Sequence, residues 1–392
     1  MDTKIKIALI CYDNPFLLPS EGGKKGIMSR IMSLMCLDKY EVDLYLLCKQ
    51  AEGIAEIPTN IKEKMHSIKQ YPMCGGISTV LGKYPICVNK RYVPECVEEL
   101  RKHKYDVAIL EGTQVAAYRI ENVIDADHYV IYFHDIESEY RSQIAKSLKN
   151  PITKIANKRE SFRFKRIEAK INELFDQVWF VSKDECDKFS KAYLEQGKGI
   201  YFPFPAMKYN DTIVGTDKNH RMLYVGDMTV KHNVLSMKWF AKSVLPLIRK
   251  RVPDAELVLI GRISDQDKAV LQTLNATVKG YVDNLDQEYN ETACVVCPVL
   301  FGAGVKVKTI DAIAMGQIVI TNSKGIEGTE LVDNKHLLVA DKAEKLAEIC
   351  AEVLLDREKY TTVSECGLEY VRSVHSIKHQ ASLIDEALNR LY

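Results

Sequence analysis

Short apolar runs alternate with segments of helical periodicity along the chain, and this alternation constrains the fold more than any other feature. The strand-like runs are 5–10, 41–47, 107–110, 129–133 and 177–181 in the first half, and 222–225, 256–260, 293–298, 317–321 and 336–339 in the second. Strands that alternate with helices form parallel sheets, with crossover helices on both faces. The pattern therefore predicts an α/β protein with doubly wound parallel sheets.

The alternation breaks once, and the break divides the chain. Residues 204–220 are polar and lack periodicity, so we interpret them as a linker between a domain at 1–203 and a second domain at 221–372. The length of 392 residues also favours two domains, because single cores rarely grow beyond about 300 residues. The last segment, 373–392, is predicted to be a helix that packs back on the first domain.

The composition indicates a chain that is made and kept in the cytoplasm. Its 54 Lys and Arg against 53 Asp and Glu give a net charge of +1, which provides no argument for a nucleic-acid partner. No apolar run approaches the ~18 residues of a membrane span, and the N-terminus lacks a signal-peptide layout. Several of the eleven cysteines lie in apolar runs, as expected in a reducing compartment. Cys294 and Cys297 have redox-motif spacing, but strand packing explains them better.

Residues 298–316 combine a buried strand, a glycine-rich turn and a helix. Gly302 and Gly304 let backbone amides approach a ligand closely. The helix N-terminus offers unpaired N–H donors and a partial positive charge, and Lys306 adds a full charge in the predicted first turn. This arrangement suits a diphosphate.

Lys308 and Asp311 are three residues apart and lie on one face of the predicted helix. A carboxylate at this place would accept hydrogen bonds from both hydroxyls of a ribose. The alternative is an ordinary amphipathic helix on which the two side chains form a solvated ion pair. Spacing alone does not distinguish a ribose-binding carboxylate from a solvated ion pair.

Five segments of the second half follow one another in a recognisable order. They are 223–233, 258–262, 278–283, 298–316 and 316–328. The set resembles the donor domain of the retaining glycosyltransferases of family 4, the group 1 transferases of the GT-B fold, and the resemblance spans nearly the whole chain. It implies two facing Rossmann-like doubly wound domains with closing C-terminal helices, a nucleotide sugar in the second domain and an acceptor in the first.

The resemblance also implies roles for individual residues. The residues that it implies for catalysis are His134, Lys231, Lys306 and Asp311. The residues that it implies for donor binding are Gly22, Gly23, Gly226, Gly261, Arg262, Tyr281, Val282, Gly302, Ala303, Gly304, Val305 and Lys308. Glu111 and Asp135 follow strands of the first half and are the expected acceptor residues.

Two departures from the family pattern fall in the donor region. The family usually has two glutamates eight residues apart, whereas Ala303 stands at the first position and Asp311, a shorter carboxylate, at the second. In part of the family, backbone amides and lysines serve such a glycine-flanked site. The family's arginine after the first strand of this domain is replaced by Asp227. Lys231 either supplies the missing charge or is a solvated loop lysine.

Two loops of the first half follow predicted strands. Gly22 and Gly23 precede a helix, where the family has a glycine pair near the donor phosphates; a flexible surface loop is the alternative. His134 would donate a hydrogen bond to a sugar hydroxyl, unless it is a capping or core histidine. Glu111 ends another strand and would line an acceptor pocket with Asp135, or has no such role. No G-x-G-x-x-G follows the first strand, so a dinucleotide site is not indicated.

Two D-x-D pairs raise the question of a metal. Asp125 and Asp127 precede their strand and so lie at its wrong end, while Asp265 and Asp267 are typical of a charged helix N-terminus. We therefore expect no metal, and no cofactor apart from the nucleotide-sugar substrate.

The expected function is that of a hexosyltransferase-type enzyme. It would move a sugar from a nucleotide-diphosphate donor to a glycan acceptor, with retention, in cell-surface polysaccharide or glycolipid assembly. Two alternatives remain open. One is a nucleotide-sugar epimerase of the same fold; the other is a non-catalytic relative that binds a partner transferase, which the alanine at position 303 motivates.

Residues 138–170 carry ten Lys or Arg against three Glu, in a chain whose net charge is +1. Apolar residues are interspersed, as in interfacial helices on anionic membranes: Ile152, Ile155, Phe162 and Phe164. Family members that extend lipid-linked glycans dock in this way. We therefore expect peripheral attachment to the inner face of the membrane and a lipid-linked acceptor, with a solvated helix face as the alternative.

Overall fold

The computed structural model forms two compact units. It describes residues 4–17, 22–49, 55–216, 219–302 and 304–392. One unit comprises Met1–Pro203 with Ile377–Tyr392, and the other comprises Phe204–Ser376. Within the described ranges, no helix is both long and apolar enough to cross a membrane.

The first unit is built around a parallel sheet. Its described strands are β1 (Ile5–Cys11), β2 (Tyr40–Cys48), β3 (Ser67–Pro72), β4 (Lys104–Glu111), β5 (Asp125–Phe133), β6 (Gln177–Phe180) and β7 (Gly199–Tyr201). They pair in the order β3-β2-β1-β4-β5-β6-β7. The helices around them are α1 (Gly22–Met35), α2 (Thr59–Lys62), α3 (Ile77–Leu81), α4 (Ile86–Arg91), α5 (Pro94–Leu100), α6 (Ala117–Ile120), α7 (Glu137–Ser147), α8 (Pro151–Glu168), α9 (Ile171–Leu174) and α10 (Lys183–Tyr193). The central strands are apolar and buried because helices cover both faces of the sheet.

The second unit repeats this plan with a smaller sheet. Its described strands are β8 (Arg221–Val225), β9 (Glu256–Ile260), β10 (Thr277–Gly280), β11 (Cys294–Val296), β12 (Val319–Thr321) and β13 (Leu338–Val339), in the order β10-β9-β8-β11-β12-β13. The helices are α11 (Lys231–Trp239), α12 (Leu245–Arg249), α13 (Asp265–Thr273), α14 (Leu285–Asn290), α15 (Val307–Ala314), α16 (Ala343–Leu355) and α17 (Thr361–Val374). Cys294 and Cys297 are buried free thiols at β11, in agreement with strand packing.

The stretch 204–220, expected to be a linker, belongs to the second unit. Asn210 and Val214 donate backbone hydrogen bonds of 3.0 Å to Ala314 and Gly316, at the end of α15. Residues 210–214 are therefore fixed along their own unit.

The last helix, α18 (Ile377–Asn389), belongs to the first unit. Ser33 of α1 donates to the amide oxygen of Gln380 over 2.9 Å, and Gln177 of β6 donates to the carbonyl of Ala387 over 2.6 Å. Two parallel-sheet α/β units with a helical C-terminus confirm the predicted fold class.

Candidate functional site

The strand order of the second unit reverses at β8. The chain runs from β8 outward to β9 and β10, and then returns to β11 on the opposite side of β8. The loops after β8 and β11 therefore diverge, and doubly wound folds bind ligands at such a point. The first unit has the corresponding reversal between β1 and β4.

Gly226 and Gly261 follow β8 and β9 directly, and backbone hydrogen bonds join their loops. The Gly226 amide donates to Ile260 over 2.9 Å, and the Gly261 amide donates to Gly280 over 2.8 Å. Gly261 has a φ of +135°, and a Cβ added there would lie 2.0 Å from the carbonyl oxygen of Gly226. Only a residue without a side chain fits between these loops.

Asp227, at the position of the family's arginine, forms an ion pair with Arg262 from the next loop. The Met228 amide also donates to the Arg262 carbonyl over 2.7 Å. A guanidinium thus stands beside the loop after β8, but it comes from the loop after β9.

The glycine-rich turn has Gly302 at φ +120° and Gly304 at φ +73°. Since α15 begins at Val307, Lys306 is the N-cap residue and does not lie in the first turn as expected. The Lys306 side chain is buried, and its ammonium donates to the carbonyls of Gly304 and, over 3.4 Å, Gly302. Lys306 therefore braces the turn, a contact that the sequence did not predict.

Lys308 connects the two sides of the reversal point. Its ammonium donates to the side-chain oxygen of Asn233 over 2.5 Å and to the Tyr224 hydroxyl over 3.2 Å. Asn233 in turn donates to the backbone carbonyl of Asp227 over 2.8 Å. Burial, reinforced by the charge of Lys306, lowers the pKa of Lys308 to about 8.

The sequence interpretation missed His232, which lies in the first turn of α11 beside the glycine-rich turn. Its ring packs edge-on to Phe301 with centroids 6.3 Å apart. Burial and then the charges of Lys308 and Lys306 lower its pKa to about 4, so the imidazole is neutral at pH 7. The neighbouring Lys231 is exposed at the start of α11. The sequence did contain a signal for His232. Lys231 and His232 are polar residues in the first helix turn after the strand at which the sheet order reverses, where such folds bind ligands.

Three further predicted donor residues belong to the second unit. Tyr281 is exposed and Val282 half-buried directly after β10. Val305 accepts a backbone hydrogen bond of 3.2 Å within the turn, and Ala303 lies outside the described residues.

Asp311 is half-buried on α15. Two neighbouring tyrosines, Tyr209 and Tyr289, have a raised hydroxyl pKa, first through burial and then through the charge of Asp311. Asp311 therefore acts electrostatically within its own unit, in addition to any role toward a ligand.

In the first unit, Gly22 and Gly23 begin α1. A Cβ at Gly23 would lie 2.1 Å from the hydroxyl oxygen of Tyr12, and the Tyr12 ring packs edge-on against His134 with centroids 5.2 Å apart. The glycine pair and the histidine are thus brought together on either side of Tyr12. Asp135 is half-buried directly after His134.

Glu111 is placed differently from the expectation that it lines an acceptor pocket. Its side chain is fully buried, and its two oxygens accept from Arg30 Nε over 3.0 Å and from His134 Nε2 over 2.9 Å. A carboxylate enclosed in this way has no free surface for an acceptor. Glu111 therefore contacts His134 from the interior of the unit.

Within the described part of the chain, no group of three or more His, Cys, Asp or Glu side chains is arranged to hold a metal ion. Asp125 and Asp127 lie at the amino end of β5, where Asp127 pairs with Lys104 over 3.2 Å. Asp265 and Asp267 form the acidic first turn of α13, as predicted.

Comparison with known sequences finds one family match and one relative. Residues 219–356 match the family model of the Glycosyl transferases group 1. A Klebsiella pneumoniae protein, described as an uncharacterized 44.6 kDa protein in the cps region, is 27% identical over 352 residues, or 86% of this chain and 87% of that protein.

Solved structures share the fold. WaaG, a glycosyltransferase involved in lipopolysaccharide biosynthesis, has a TM-score of 0.68 at 16% identity over 96% of this chain and 99% of its own. HepE from Anabaena, solved in complex with UDP-glucose, has a TM-score of 0.66 at 12% identity over 98% of this chain and 100% of its own. The fold is GT-B, and residues 219–356 match the model of a group 1 glycosyltransferase domain, in agreement with the expectation of a glycosyltransferase.

Proposed function

We propose that this protein transfers a sugar from a nucleoside diphosphate to a glycan acceptor, with retention of configuration, in the assembly of a cell-surface polysaccharide or glycolipid. The observation that carries the proposal is the bridge from Lys308 to Tyr224 and Asn233 across the switch point of a group 1 domain. The UDP-glucose bound to HepE, the lipopolysaccharide role of WaaG and the cps-region relative support the donor and the pathway.

In this proposal the diphosphate lies over the glycine-rich turn. The N-terminus of α15 and the ammonium groups of Lys308 and Lys231 stabilise its charge as the bond to the sugar breaks. His232, as a neutral imidazole, donates a hydrogen bond to the diphosphate. The acceptor hydroxyl attacks on the face from which the nucleotide leaves, and the departing diphosphate takes its proton. The protein then contributes mainly charge stabilisation and orientation.

The other site residues contact different parts of the donor and the acceptor. Asp311 holds the ribose, and Tyr281 with Val282 contacts the base. His134 contacts the sugar, and Asp135 lies on the acceptor side. We also propose that no divalent metal takes part.

The proposal is tested first by thermal stabilisation with a panel of nucleoside diphosphates and then by turnover of the matching α-linked sugar nucleotides in EDTA. We expect one diphosphate to raise Tm, and NMR of the product to show an α-linked anomeric proton. A sugar nucleotide epimerised without acceptor would identify an epimerase, and binding without turnover a non-catalytic relative. No stabilisation by any diphosphate would refute the donor site, and rescue by added metal would refute metal independence.

The ionisation of Lys308 predicts a pH-dependent affinity. With a pKa of about 8 in the free protein, Lys308 loses its charge above that pH, whereas a bound diphosphate raises its pKa. Diphosphate affinity should therefore fall, by up to about tenfold per pH unit, as pH rises through 8. Lys308→Met should weaken binding by roughly tenfold to hundredfold and show a flat profile in calorimetry.

The matched control is Lys345→Met, because Lys345 is an exposed lysine of α16 paired with Glu348 over 2.9 Å. It should keep both the affinity and the pH profile of the parent. If Lys308→Met showed the same pH dependence of affinity as the parent, another group would cause that dependence.

The basic stretch forms α7 and α8, and we propose that it attaches the protein to an anionic membrane carrying a lipid-linked acceptor. Ile152 is 76% and Phe162 65% exposed, whereas Phe164 is fully buried in the core and does not belong to the docking face. Arg163 donates to the carbonyl of Gly82, which places exposed Leu81 of α3 beside the same surface. Two neighbouring helices thus present apolar side chains among positive charges.

Changing Lys158, Arg159, Lys165 and Arg166 to glutamine should abolish co-sedimentation with anionic vesicles. Each basic residue near such a surface contributes about 1 kcal/mol, so losing four should weaken attachment by more than a hundredfold. Arg163 is left intact because it is paired with Glu160 over 3.2 Å.

The control for this experiment changes four basic residues of the second unit, Lys242, Lys250, Arg251 and Lys345, to glutamine. It has the same net charge as the test variant and should still bind. Equal loss in both would show that total charge, and not this surface, controls attachment. Absence of binding by the parent at low salt would remove the membrane from the proposal.

A further inference from the structure

We propose that Glu111 is a positioning residue that fixes the tautomer of His134, so that His134 presents Nδ1 as a hydrogen-bond acceptor for a ligand hydroxyl. The identity of that ligand as a sugar or glycan rests on the proposed function, but the state of the ring does not. The inference comes from a buried chain of contacts in the first unit.

This series of contacts begins at Arg30 on α1. Arg30 Nε donates to Glu111 Oε1 over 3.0 Å, and the two side chains are both 0% exposed. The other oxygen, Oε2, lies 2.9 Å from His134 Nε2, and the His134 side chain is 12% exposed. The carboxylate therefore sits between a buried cation behind it and a histidine that reaches the surface.

The imidazole is held from the sides as well. The rings of Tyr12 and Tyr132 pack edge-on against it, with centroids 5.2 and 4.9 Å away. Arg30 in turn stacks on the Tyr132 ring at 3.8 Å. These contacts oppose a ring flip, so the nitrogen that faces Glu111 is fixed.

The tautomer follows from hydrogen-bond chemistry. A carboxylate in an ion pair only accepts hydrogen bonds, and Glu111 forms such a pair with Arg30, with both side chains 0% exposed. His134 Nε2 must therefore carry a proton, and in the neutral imidazole the lone pair lies on Nδ1. Whereas the sequence suggested that His134 donates to a hydroxyl, the structure favours a histidine that accepts from one. Such a group selects a hydroxyl over a carbonyl or phosphate oxygen at this place.

The test combines histidine-labelled ¹⁵N NMR with kinetics. In the parent protein, the His134 signals, assigned by their absence in His134→Gln, should show protonated Nε2 and unprotonated Nδ1. In Glu111→Gln, the side-chain amide can donate to Nε2, so the ring should change to the tautomer with protonated Nδ1. We expect kcat to fall by roughly tenfold to hundredfold, with the donor KM changed less than about twofold.

Asp125→Asn is the matched control, since it makes the same chemical change at the exposed, opposite end of β5. It should leave the His134 signals and kcat unchanged. Protonated Nδ1 in the parent would overturn the proposal, and that measurement needs no variant to fold. The same tautomer in parent and Glu111→Gln would also overturn it. Because the spectra need no substrate, they remain decisive even if no sugar nucleotide is turned over.

Discussion

Gly261→Ala should lower the free energy of unfolding of the second unit by about 3 kcal/mol and abolish detectable diphosphate binding. Gly261 has a φ of +135°, and an added Cβ would lie 2.0 Å from the carbonyl oxygen of Gly226, which is backbone and cannot turn away. The variant combines backbone strain with overpacking, each typically about 1–3 kcal/mol. The loops after β8 and β9 must separate to relieve the clash, and these loops shape the proposed donor site. Urea denaturation and calorimetry measure the two effects.

Gly280→Ala separates strain from crowding. Gly280 also has a positive φ, +78°, at the same edge of the same sheet, but a Cβ there meets nothing within 4 Å. It should cost only about 1 kcal/mol. Equal losses in the two variants would show that the contact with Gly226 does not constrain the loops.

The central strands could be predicted from the sequence because they are buried on both faces. β1, β4, β8 and β9 are apolar runs bounded by polar residues, and the structure places them near the predicted positions. β3 and β7, at the two edges of the first sheet, were missed. Edge strands bury less of their surface, and β3 is half-buried along most of its length, so its sequence carries a weaker signal.

The apolar periodicity of residues 233–251 predicts one continuous helix, whereas the structure interrupts it. A π-helical segment, Phe240–Val244, separates α11 from α12. Pro246 has no amide hydrogen for the carbonyl of Lys242, and widening the helix ahead of it accommodates the ring. Apolar periodicity alone does not show such a change.

The site was predicted as a set of loops, but its internal contacts were not. Spacing places Lys308 on α15, whereas its partners Tyr224 and Asn233 lie 84 and 75 residues away in sequence. Local spacing does not encode such pairings. Arg30 did leave a signal, since it lies within a helix of buried apolar residues and a charge there requires a buried partner.

Arg30→Met should destabilise the first unit more than any surface substitution, by about 3–5 kcal/mol. The change leaves the Glu111 carboxylate buried without its cation, and breaking a buried pair on one side typically costs this much. Replacing both partners, in Arg30→Met with Glu111→Met, should recover much of the loss, because no unpaired charge then remains. Urea denaturation of the three proteins and the parent completes a double-mutant cycle.

Arg119→Met controls for the aromatic stacking that Arg30 also loses. The Arg119 guanidinium lies 3.6 Å from the centroid of the Tyr129 ring, much as Arg30 lies over Tyr132, but it is half-buried and donates to a backbone carbonyl, that of Leu174. Its loss should cost only about 1 kcal/mol. If Arg30→Met costs no more than Arg119→Met, the ion pair with Arg30 does not stabilise the buried Glu111. A double variant less stable than Arg30→Met alone would assign the loss to packing. A large single loss that the double variant recovers would show that the ion pair with Arg30 stabilises the buried Glu111 carboxylate next to His134.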